Sequence, residues 1–283
     1  MKKFAVFGNP IAQSLSPTIH QMFAEQCDEA ISYEKILAPE NGFVSKATSF
    51  LLQADAVGCN VTMPFKLDAF NMAEVDDKAA KDAKAVNTLM KVSDGNVESV
   101  TKNSVKGFNT DGIGLVNDLL NNNIELKNKR VLLIGAGGAA RGVISPLIEA
   151  SIEQLTIANR TKEKAQQVAD ETGYDNIDVV SLEDIGSVRP HIIINSTAAS
   201  LQGELPCVMT TGLLDECEVV YDMVYKNSPT IFMREAKSHG VPKGLDGLGM
   251  LVEQAAAAFT IWTGKQPDTN TVVKKLRELI ENS

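Results

Sequence analysis

Apolar residues along the chain form short runs that alternate with longer amphipathic segments. Towards the N-terminus, β-prone runs predict strands at 3–7, 31–37 and 56–61, with helices at 17–26 and 41–54 between them. Strands separated by helical segments are typical of parallel strands with crossover connections. The first part of the chain is therefore predicted to form an α/β unit.

An Asp-Gly pair marks the end of this first unit. Asp94-Gly95 lies between β-prone residues, and Asp-Gly in that setting is a strong signal for a hairpin turn. We predict a hairpin over 85–108 and place a domain boundary directly after it.

A second alternation of strands and helices begins at Arg130. The run 130–134 is almost wholly apolar, as in a strand that is covered on both faces. Further strands are predicted at 154–158, 177–180, 191–195 and 219–223, and two final helices at 249–263 and 269–280. The fold class expected is α/β, with a substrate-binding α/β domain over 1–108 that is completed by 246–283, and a Rossmann-type domain over 109–245 inserted between them.

Composition supports a folded protein of about two domains. The 283 residues are 44% apolar and only 22% charged, so a sizeable core is available. The formal net charge of -9 disfavours a nucleic-acid or anionic membrane surface, because such a surface needs a basic face. No apolar run approaches the roughly 18 residues of a membrane span. We expect no nucleic-acid or membrane partner, and either a monomer or a homodimer.

The cysteines point to a reducing compartment. Cys27, Cys59, Cys207 and Cys217 are far apart in sequence and form neither a CxxC pair nor a cluster with histidine. Neither a disulfide framework nor a metal site is therefore expected. The apolar run at 4–7 is too short for a signal-peptide core, so a cytoplasmic location is expected.

A glycine-rich turn follows the strand at 130–134. The sequence Gly135-Ala136-Gly137-Gly138-Ala139-Ala140 has the GxGxxA form of a dinucleotide-binding turn, and it stands between a strand and a helix as that turn requires. Gly135 allows the tight turn, and Gly137 lets the backbone approach a pyrophosphate. The amides at the helix N-terminus would attract the anion.

The residues after the next strand indicate NADP rather than NAD. An NAD-binding unit places an acidic residue there, against the ribose hydroxyls. Here Asn159-Arg160-Thr161 stands at that position, and Lys164 follows one helical turn later. Cationic and hydroxyl groups suit a 2′-phosphate, which arginine can bind in a fork.

Two polar clusters are candidates for substrate binding. Asn60, Thr62 and Lys66 follow the strand at 56–61, at the carboxyl edge where open α/β sheets bind ligands. Asp111 lies in the second cluster, at the predicted domain junction. On composition alone, Lys66 would be a solvated side chain and Asp111 a helix N-cap.

None of the histidines makes a convincing acid or base. His20, His191 and His239 lie near no other candidate motif and are expected to be structural. Hydride transfer between an alcohol and a nicotinamide also moves a proton, so another polar group must handle that proton. Lys66 is the candidate.

Several blocks of residues occur in a fixed order along nearly the whole chain. They are Gly8-Asn9-Pro10-Ile11, Ser14-Leu15-Ser16-Pro17, residues 60–66, Ala85-Val86-Asn87-Thr88, Asn109-Thr110-Asp111-Gly112, residues 135–139, Asn159-Arg160-Thr161, Tyr221-Asp222-Met223-Val224-Tyr225 and residues 247–254. Together they resemble the bacterial shikimate dehydrogenase family. The resemblance implies NADP-linked interconversion of 3-dehydroshikimate and shikimate, the reductive step on the route to chorismate and the aromatic amino acids.

The resemblance also implies roles for individual side chains. Ser14 and Ser16, helped by Tyr225, would bind the substrate carboxylate. The ring hydroxyls and the reacting carbonyl would be held by Thr62, Lys66, Asn87, Asp111 and Gln254, and the nicotinamide would be flanked by Met223 and Gly247. Lys66, beside Asp111, would either deliver the proton or stabilise the developing alkoxide.

Two other functions are compatible with these blocks. Paralogues that oxidise quinate or use NAD share most of them, and Asn159-Arg160-Thr161 argues against NAD. A non-catalytic sensor of a dinucleotide or a hydroaromatic acid would not need both Lys66 and Asp111.

Two features depart from the family pattern. The interval between Asn87 and Asp111 is longer than usual, which suggests an extended hairpin near 93–106. Ser200 stands where the family is expected to carry glycine.

Overall fold

The computed structural model describes residues 1–92 and 101–282. The chain divides into two compact units: unit 1 comprises Met1–Asp111 and Val252–Val272, and unit 2 comprises Gly112–Leu251 and Val273–Ser283. The boundaries expected from the sequence were 108/109 and 245/246. In the structure, the last segment is divided, because residues 273–283 belong to unit 2.

Unit 1 is built on a five-stranded sheet. Its elements are β1 (Lys2–Gly8), α1 (Ser16–Cys27), β2 (Ile31–Leu37), α2 (Phe43–Leu51), β3 (Ala56–Val61), α3 (Lys66–Met72), α4 (Lys78–Ala83), β4 (Thr88–Lys91) and β5 (Val105–Phe108). The strand order is β2-β1-β3-β4-β5, with β1 parallel to β2 and β3, and β4 antiparallel to both β3 and β5. The antiparallel β4–β5 pair is the pairing predicted for the hairpin, whereas the turn at Asp94-Gly95 lies outside the described residues.

Alternating side chains of β1 face two different cores of unit 1. Phe7 packs with Phe43 and Phe50 of α2 at ring-centroid distances of 5.7 and 6.0 Å. Phe4 instead lies 4.8 Å from Trp262. Because successive side chains of a strand point to opposite faces, a nearly all-apolar strand buries both faces of the sheet.

Unit 2 is built on a six-stranded sheet in which every pair is parallel. Its elements are α5 (Asp111–Asn121), which begins on the last residue of unit 1, then β6 (Arg130–Ile134), α6 (Gly138–Glu149), β7 (Gln154–Asn159), α7 (Lys162–Thr172), β8 (Ile177–Ser181), β9 (Ile192–Asn195), α8 (Ala199–Gln202), α9 (Thr211–Leu214), β10 (Val219–Asp222), α10 (Ile231–Ser238) and β11 (Lys243–Asp246). Two helices, α11 (Leu248–Thr263) and α12 (Thr269–Glu281), end the chain. The sheet order is β11-β10-β9-β6-β7-β8.

The apolar run of β6 is explained by two cores, one on each face of the unit 2 sheet. Val131 and Leu133 belong to one core cluster, together with apolar residues of α5 and α6. Leu132 and Ile134 belong to the other, together with apolar residues of α9 and α10. The prediction of a strand covered on both faces is therefore confirmed.

A glycine lets α5 approach α6 closely. A Cβ atom at Gly112 would lie 2.3 Å from Cγ of Pro146 and 2.4 Å from the carbonyl oxygen of Gly142. No side chain fits there without displacing backbone, so this contact requires glycine directly after Asp111. Within the described ranges, no helix is long and apolar enough to cross a membrane.

Candidate active site

Lys66 and Asp111 form an ion pair in unit 1. Lys66 is the first residue of α3 and Asp111 the first residue of α5, and Lys66 Nζ lies 2.5 Å from Asp111 Oδ2. The side chains are 25% and 11% exposed, so solvent or a ligand can reach a pair that is mostly buried. The interpretation of Lys66 as an independent solvated side chain, which composition favoured, is therefore wrong.

Asn87 holds the second oxygen of the carboxylate. Its Nδ2 donates to Asp111 Oδ1 at 2.9 Å and lies 3.4 Å from Oε1 of Gln254. Its Oδ1 accepts hydrogen bonds from the backbone N–H of Thr110 and from the Thr88 hydroxyl, both at 2.9 Å. The amide is thereby fixed in one orientation, and Asp111 is held on both oxygens.

Sequence reasoning missed the supporting roles of Thr88 and Thr110. Both are almost completely buried, at 0% and 2% exposure. Their positions in the sequence could have pointed to these roles, because Thr88 directly follows Asn87 and Thr110 directly precedes Asp111. What the sequence did not show is that their polar groups turn inward to Asn87.

The two serines expected at the substrate carboxylate lie together. Ser16 opens α1, Ser14 Oγ donates to Ser16 Oγ at 3.1 Å, and the Ser16 backbone N–H donates to Ser14 Oγ at 3.3 Å. Thr62 is half-buried, and its methyl group would lie 2.5 Å from a Cβ at Gly8, so Gly8 makes room for it. This arrangement presents hydroxyl groups on short, ordered segments.

Met223, Tyr225 and Gly247 belong to unit 2. A Cβ at Gly247 would lie 2.1 Å from the Met223 carbonyl oxygen, so the two backbones are in direct contact and only glycine fits. Burial raises the pKa of the half-buried Tyr225 hydroxyl, and the charge of Asp246 raises it further. Tyr225 therefore carries its proton at neutral pH and can donate a hydrogen bond to an anion.

A groove of about 480 Å³ runs over the glycine-rich turn of unit 2. It is lined by residues that include Gly135, Ala136, Gly137, Asn159, Arg160, Thr161 and Lys164. Gly135 has a φ of +111°, and a Cβ there would lie 2.5 Å from the Ser196 hydroxyl, so the turn requires glycine.

The open side of this turn fits the pyrophosphate of a dinucleotide. Cβ atoms at Gly137 and Gly138 would project into space that is empty to 4 Å, so a ligand can approach the backbone closely. Gly138 and Ala139 open α6, where free backbone N–H groups favour an anion. Arg160, Thr161 and Lys164 are exposed at the groove and suit a 2′-phosphate.

Ser200, which stands where the family is expected to carry glycine, is not among the residues that line the groove and instead binds a buried carboxylate. Its Oγ donates to Asp222 Oδ2 at 2.5 Å, and Asp222 Oδ1 accepts from Nδ2 of Asn195 at 3.0 Å and from the Val224 backbone N–H at 3.2 Å. Asp222 is 0% exposed. Asn195 Oδ1 in turn accepts from the Thr197 backbone, and Thr197 lines the groove.

The histidines occupy three separate environments. His20 is buried in the unit 1 core, His191 Nδ1 accepts from the Arg130 backbone N–H at 3.1 Å, and His239 ends α10. Within the described part of the chain, no group of three or more histidine, cysteine or acidic side chains could hold a metal ion.

Comparisons with known proteins place the chain in a family. Family models match in sequence order: the shikimate dehydrogenase substrate-binding domain over residues 6–89, shikimate/quinate 5-dehydrogenase over 118–203, and the shikimate 5′-dehydrogenase C-terminal domain over 247–277. The chain is 67% identical to the shikimate dehydrogenase (NADP(+)) of Alteromonas mediterranea, covering 100% of this chain and 99% of that one. The chain belongs to the shikimate dehydrogenase family. The family resemblance seen in the sequence blocks is thus confirmed.

Solved structures similar to this chain confirm the fold class. The enzyme of Thermus thermophilus in complex with NADP(H) and shikimate has a TM-score of 0.85 and 33% identity, with 98% of this chain and 99% of that chain covered. The Ael1 enzyme of Pseudomonas putida has a TM-score of 0.89 and 36% identity, with 98% of each chain covered. The expectation of an α/β fold with a Rossmann-type nucleotide-binding part is therefore confirmed.

Proposed function

We propose that this protein interconverts 3-dehydroshikimate and shikimate, with Lys66 and Asp111 handling the proton. It is an NADP-dependent shikimate dehydrogenase and acts in the pathway to chorismate and the aromatic amino acids. The observation that carries the proposed chemistry is the partly exposed Lys66–Asp111 pair, held by Asn87.

The proposed chemistry places a proton donor beside the reacting oxygen. Bound NADPH supplies the hydride, and its oxidised form accepts one in reverse. Lys66 has three N–H donors, and only one is needed for Asp111 Oδ2 at 2.5 Å. Another can donate to the carbonyl oxygen of the substrate, so that the oxygen receives a proton as the carbon receives the hydride. Asp111 keeps the ammonium group oriented while this happens.

Substrate recognition uses many side-chain donors and acceptors. We assign the substrate carboxylate to the hydroxyls of Ser14, Ser16 and Tyr225. Thr62, Asn87, Asp111 and Gln254 are assigned to the ring hydroxyls. A site that hydrogen-bonds each hydroxyl rejects analogues that lack one, because its own buried polar groups are then left unpaired.

The cofactor assignment divides the nucleotide among three features of unit 2. Gly135, Ala136, Gly137, Gly138 and Ala139 would hold the pyrophosphate, and Arg160, Thr161 and Lys164 would hold the 2′-phosphate. Asn159 supports that corner, since its Nδ2 donates to the Thr161 carbonyl at 2.9 Å. Met223 and Gly247 would flank the nicotinamide. In this assignment residues 1–108 with 246–283 supply most of the substrate ligands and 109–245 most of the NADP ligands, with Asp111, Tyr225 and Gly247 as exceptions.

A spectrophotometric assay tests the function directly. Purified protein with shikimate and NADP should form NADPH, and 3-dehydroshikimate should consume it. Quinate and NAD, used in parallel, should give lower kcat/KM values. Tight binding of NADPH and 3-dehydroshikimate without turnover would instead identify a sensor.

The compartment and assembly state complete the proposal. The four cysteines are all free thiols, and three are buried, which suits a reducing cytoplasm. We place the protein there, as a monomer or homodimer that acts on a small-molecule substrate and has no nucleic-acid or membrane partner. Light scattering during gel filtration measures the assembly state.

A further inference from the structure

Tyr33 packs against an aromatic cluster of unit 1 that contains the buried His20. Its ring stacks on His20 at 4.4 Å with an interplanar angle of 11°, and His20 also lies 5.4 Å from Trp262 and 5.9 Å from Phe23. Neither ring nitrogen of His20 has a hydrogen-bond partner within the described ranges. Burial lowers the pKa of His20 to about 3, an effect that the nearby Asn60 side chain partly opposes. The cluster is therefore uncharged at neutral pH.

The hydroxyl of Tyr33 is directed out of this cluster to Asn60. It donates to Asn60 Oδ1 at 2.6 Å. Since the oxygen of the Asn60 amide is thereby occupied, its Nδ2 points the other way and donates to Thr88 Oγ1 at 3.1 Å and to the Asn87 carbonyl at 3.2 Å. Asn60 and Thr88 are paired residues of the antiparallel β3–β4 ladder, which explains why their side chains meet.

The chain of hydrogen bonds continues from Thr88 to the Lys66–Asp111 pair, and each group again donates to the next. Thr88 Oγ1 accepts from Asn60, so its own proton goes to Asn87 Oδ1 at 2.9 Å. Asn87 Nδ2 then faces Asp111 Oδ1. Each of these groups is almost completely buried, so water does not compete for its hydrogen bonds.

We infer that Tyr33 and Asn60 are positioning residues for the Lys66–Asp111 pair, acting through Thr88 and Asn87. This inference rests on the proposed function, because it takes that pair to be the proton-handling group. Tyr33 is the terminal donor: its hydroxyl occupies the oxygen of the Asn60 amide, so that Asn60 Nδ2 is directed to Thr88 and the Thr88 proton to Asn87 Oδ1. When it is absent, the Asn60 amide and the Thr88 hydroxyl can each turn, and the Thr88 proton is no longer directed to Asn87, which keeps its hydrogen bonds with Thr110, Asp111 and Gln254.

Tyr33 carries its proton at neutral pH, as a terminal donor must. Burial raises the pKa of its hydroxyl well above the ordinary value, and the Ser16 side chain acts against that rise.

The test is a double-mutant cycle on kcat with Tyr33→Phe and Thr88→Val. Each change removes a hydroxyl and nearly preserves the shape of the side chain. We expect Tyr33→Phe to lower kcat about 3- to 10-fold, the loss of about one buried hydrogen bond, with the KM for NADP unchanged. If both residues act through one chain, the double variant should be no slower than the slower single variant.

A matched control separates positioning from loss of stability. Tyr174→Phe in unit 2 removes a tyrosine hydroxyl that is 2.8 Å from Ser145 Oγ. It should lower the thermal midpoint as Tyr33→Phe does but leave kcat unchanged. The inference is overturned if Tyr33→Phe alone keeps kcat within about twofold of the unaltered protein, or if the two single effects multiply. Activity of the unaltered protein tests the proposed function independently of these ratios.

Discussion

The two units build their polar interiors in opposite ways. In unit 1, neutral amides and hydroxyls surround an ion pair that solvent can reach, and the charged groups themselves are the proposed chemical site. In unit 2, the charged group is the fully buried Asp222, and its partners are Asn195, Ser200 and a backbone N–H. There the surface that we propose for the pyrophosphate is backbone, and side chains are assigned only to the 2′-phosphate.

This difference has a physical reason in the ligands. A small polyhydroxy acid offers many separate donors and acceptors, which only side chains from several elements can match. A pyrophosphate offers a compact charge that a helix N-terminus and a glycine turn bind without any side chain. Changes in unit 1 should therefore act on turnover, and changes in unit 2 on cofactor affinity or stability.

The largest effect expected is loss of turnover in Lys66→Ala. Removing a positioned proton donor typically lowers rates by about 10²- to 10⁴-fold. We expect kcat to fall in that range with the KM for shikimate nearly unchanged, because the lost interaction is strongest in the transition state. Steady-state kinetics with shikimate and NADP measure both constants.

An ordinary ion pair in the same unit is the control. Lys78 Nζ lies 2.5 Å from Asp82 Oδ2, the same distance as in the Lys66–Asp111 pair, but its side chain is 58% exposed. Lys78→Ala should keep kcat, because the pair lies on α4 and is assigned no ligand. An unchanged kcat in Lys66→Ala would contradict the expectation that changes in unit 1 act on turnover while changes in unit 2 act on cofactor affinity or stability.

The next effect tests the cofactor side of the comparison. In Arg160→Ala, kcat/KM for NADP should fall about 10- to 100-fold, through loss of a charged hydrogen-bond donor to the 2′-phosphate. The value for NAD, which lacks that phosphate, should stay nearly constant and is the internal control. Equal losses for both cofactors would show that Arg160 maintains the fold of the groove rather than cofactor choice.

Sequence reasoning predicted the regular features of both units. The bounds of β3 and β6 are those expected from apolar runs, because a buried strand has few alternatives to such a run. Those of β2 are also the expected ones, although β2 is an edge strand with only one buried residue. Sequence reasoning did not reveal the Asp222 cluster or the Tyr33–Asn60 contact. Both join residues that are distant in sequence. The sequence does not distinguish a buried asparagine or serine from an exposed one, because only the folded structure shows the hydrogen-bond partner.

A third test uses the uncharged aromatic cluster of unit 1. His20 takes up a proton below about pH 6.5 in the unfolded chain but only near pH 3 when folded, since burial lowers its pKa to about 3. Its contribution to stability is complete above pH 6.5 and is lost as the pH falls toward 3. In that window His20→Phe should flatten the dependence of the free energy of unfolding on pH by up to about 1.4 kcal/mol per pH unit.

The control for His20 changes its surroundings without removing a titratable group. Phe23→Leu alters the same aromatic cluster, whose other titratable member in contact with His20 is Tyr33. It should lower stability by a constant amount at every pH. Urea unfolding at a series of pH values measures the slope, and equal slopes for His20→Phe and the unaltered protein would contradict a neutral buried histidine.

The smallest effect compares a short with a long hydrogen bond to a carboxylate within unit 2. Ser200 Oγ donates to the buried Asp222 Oδ2 at 2.5 Å, whereas Ser145 Oγ, which is equally buried, lies 3.4 Å from Glu149 Oε1 and 2.8 Å from the Tyr174 hydroxyl. A well-formed hydrogen bond to a charged group contributes about 2 kcal/mol and a neutral one about 1 kcal/mol. Ser200→Ala should therefore lower the urea midpoint more than Ser145→Ala. Since Asp222 also binds the Val224 N–H between Met223 and Tyr225, Ser200→Ala should raise the KM for NADP, and Ser145→Ala should not. Equal midpoints and equal KM values would mean that Asn195 and the Val224 N–H suffice to hold Asp222.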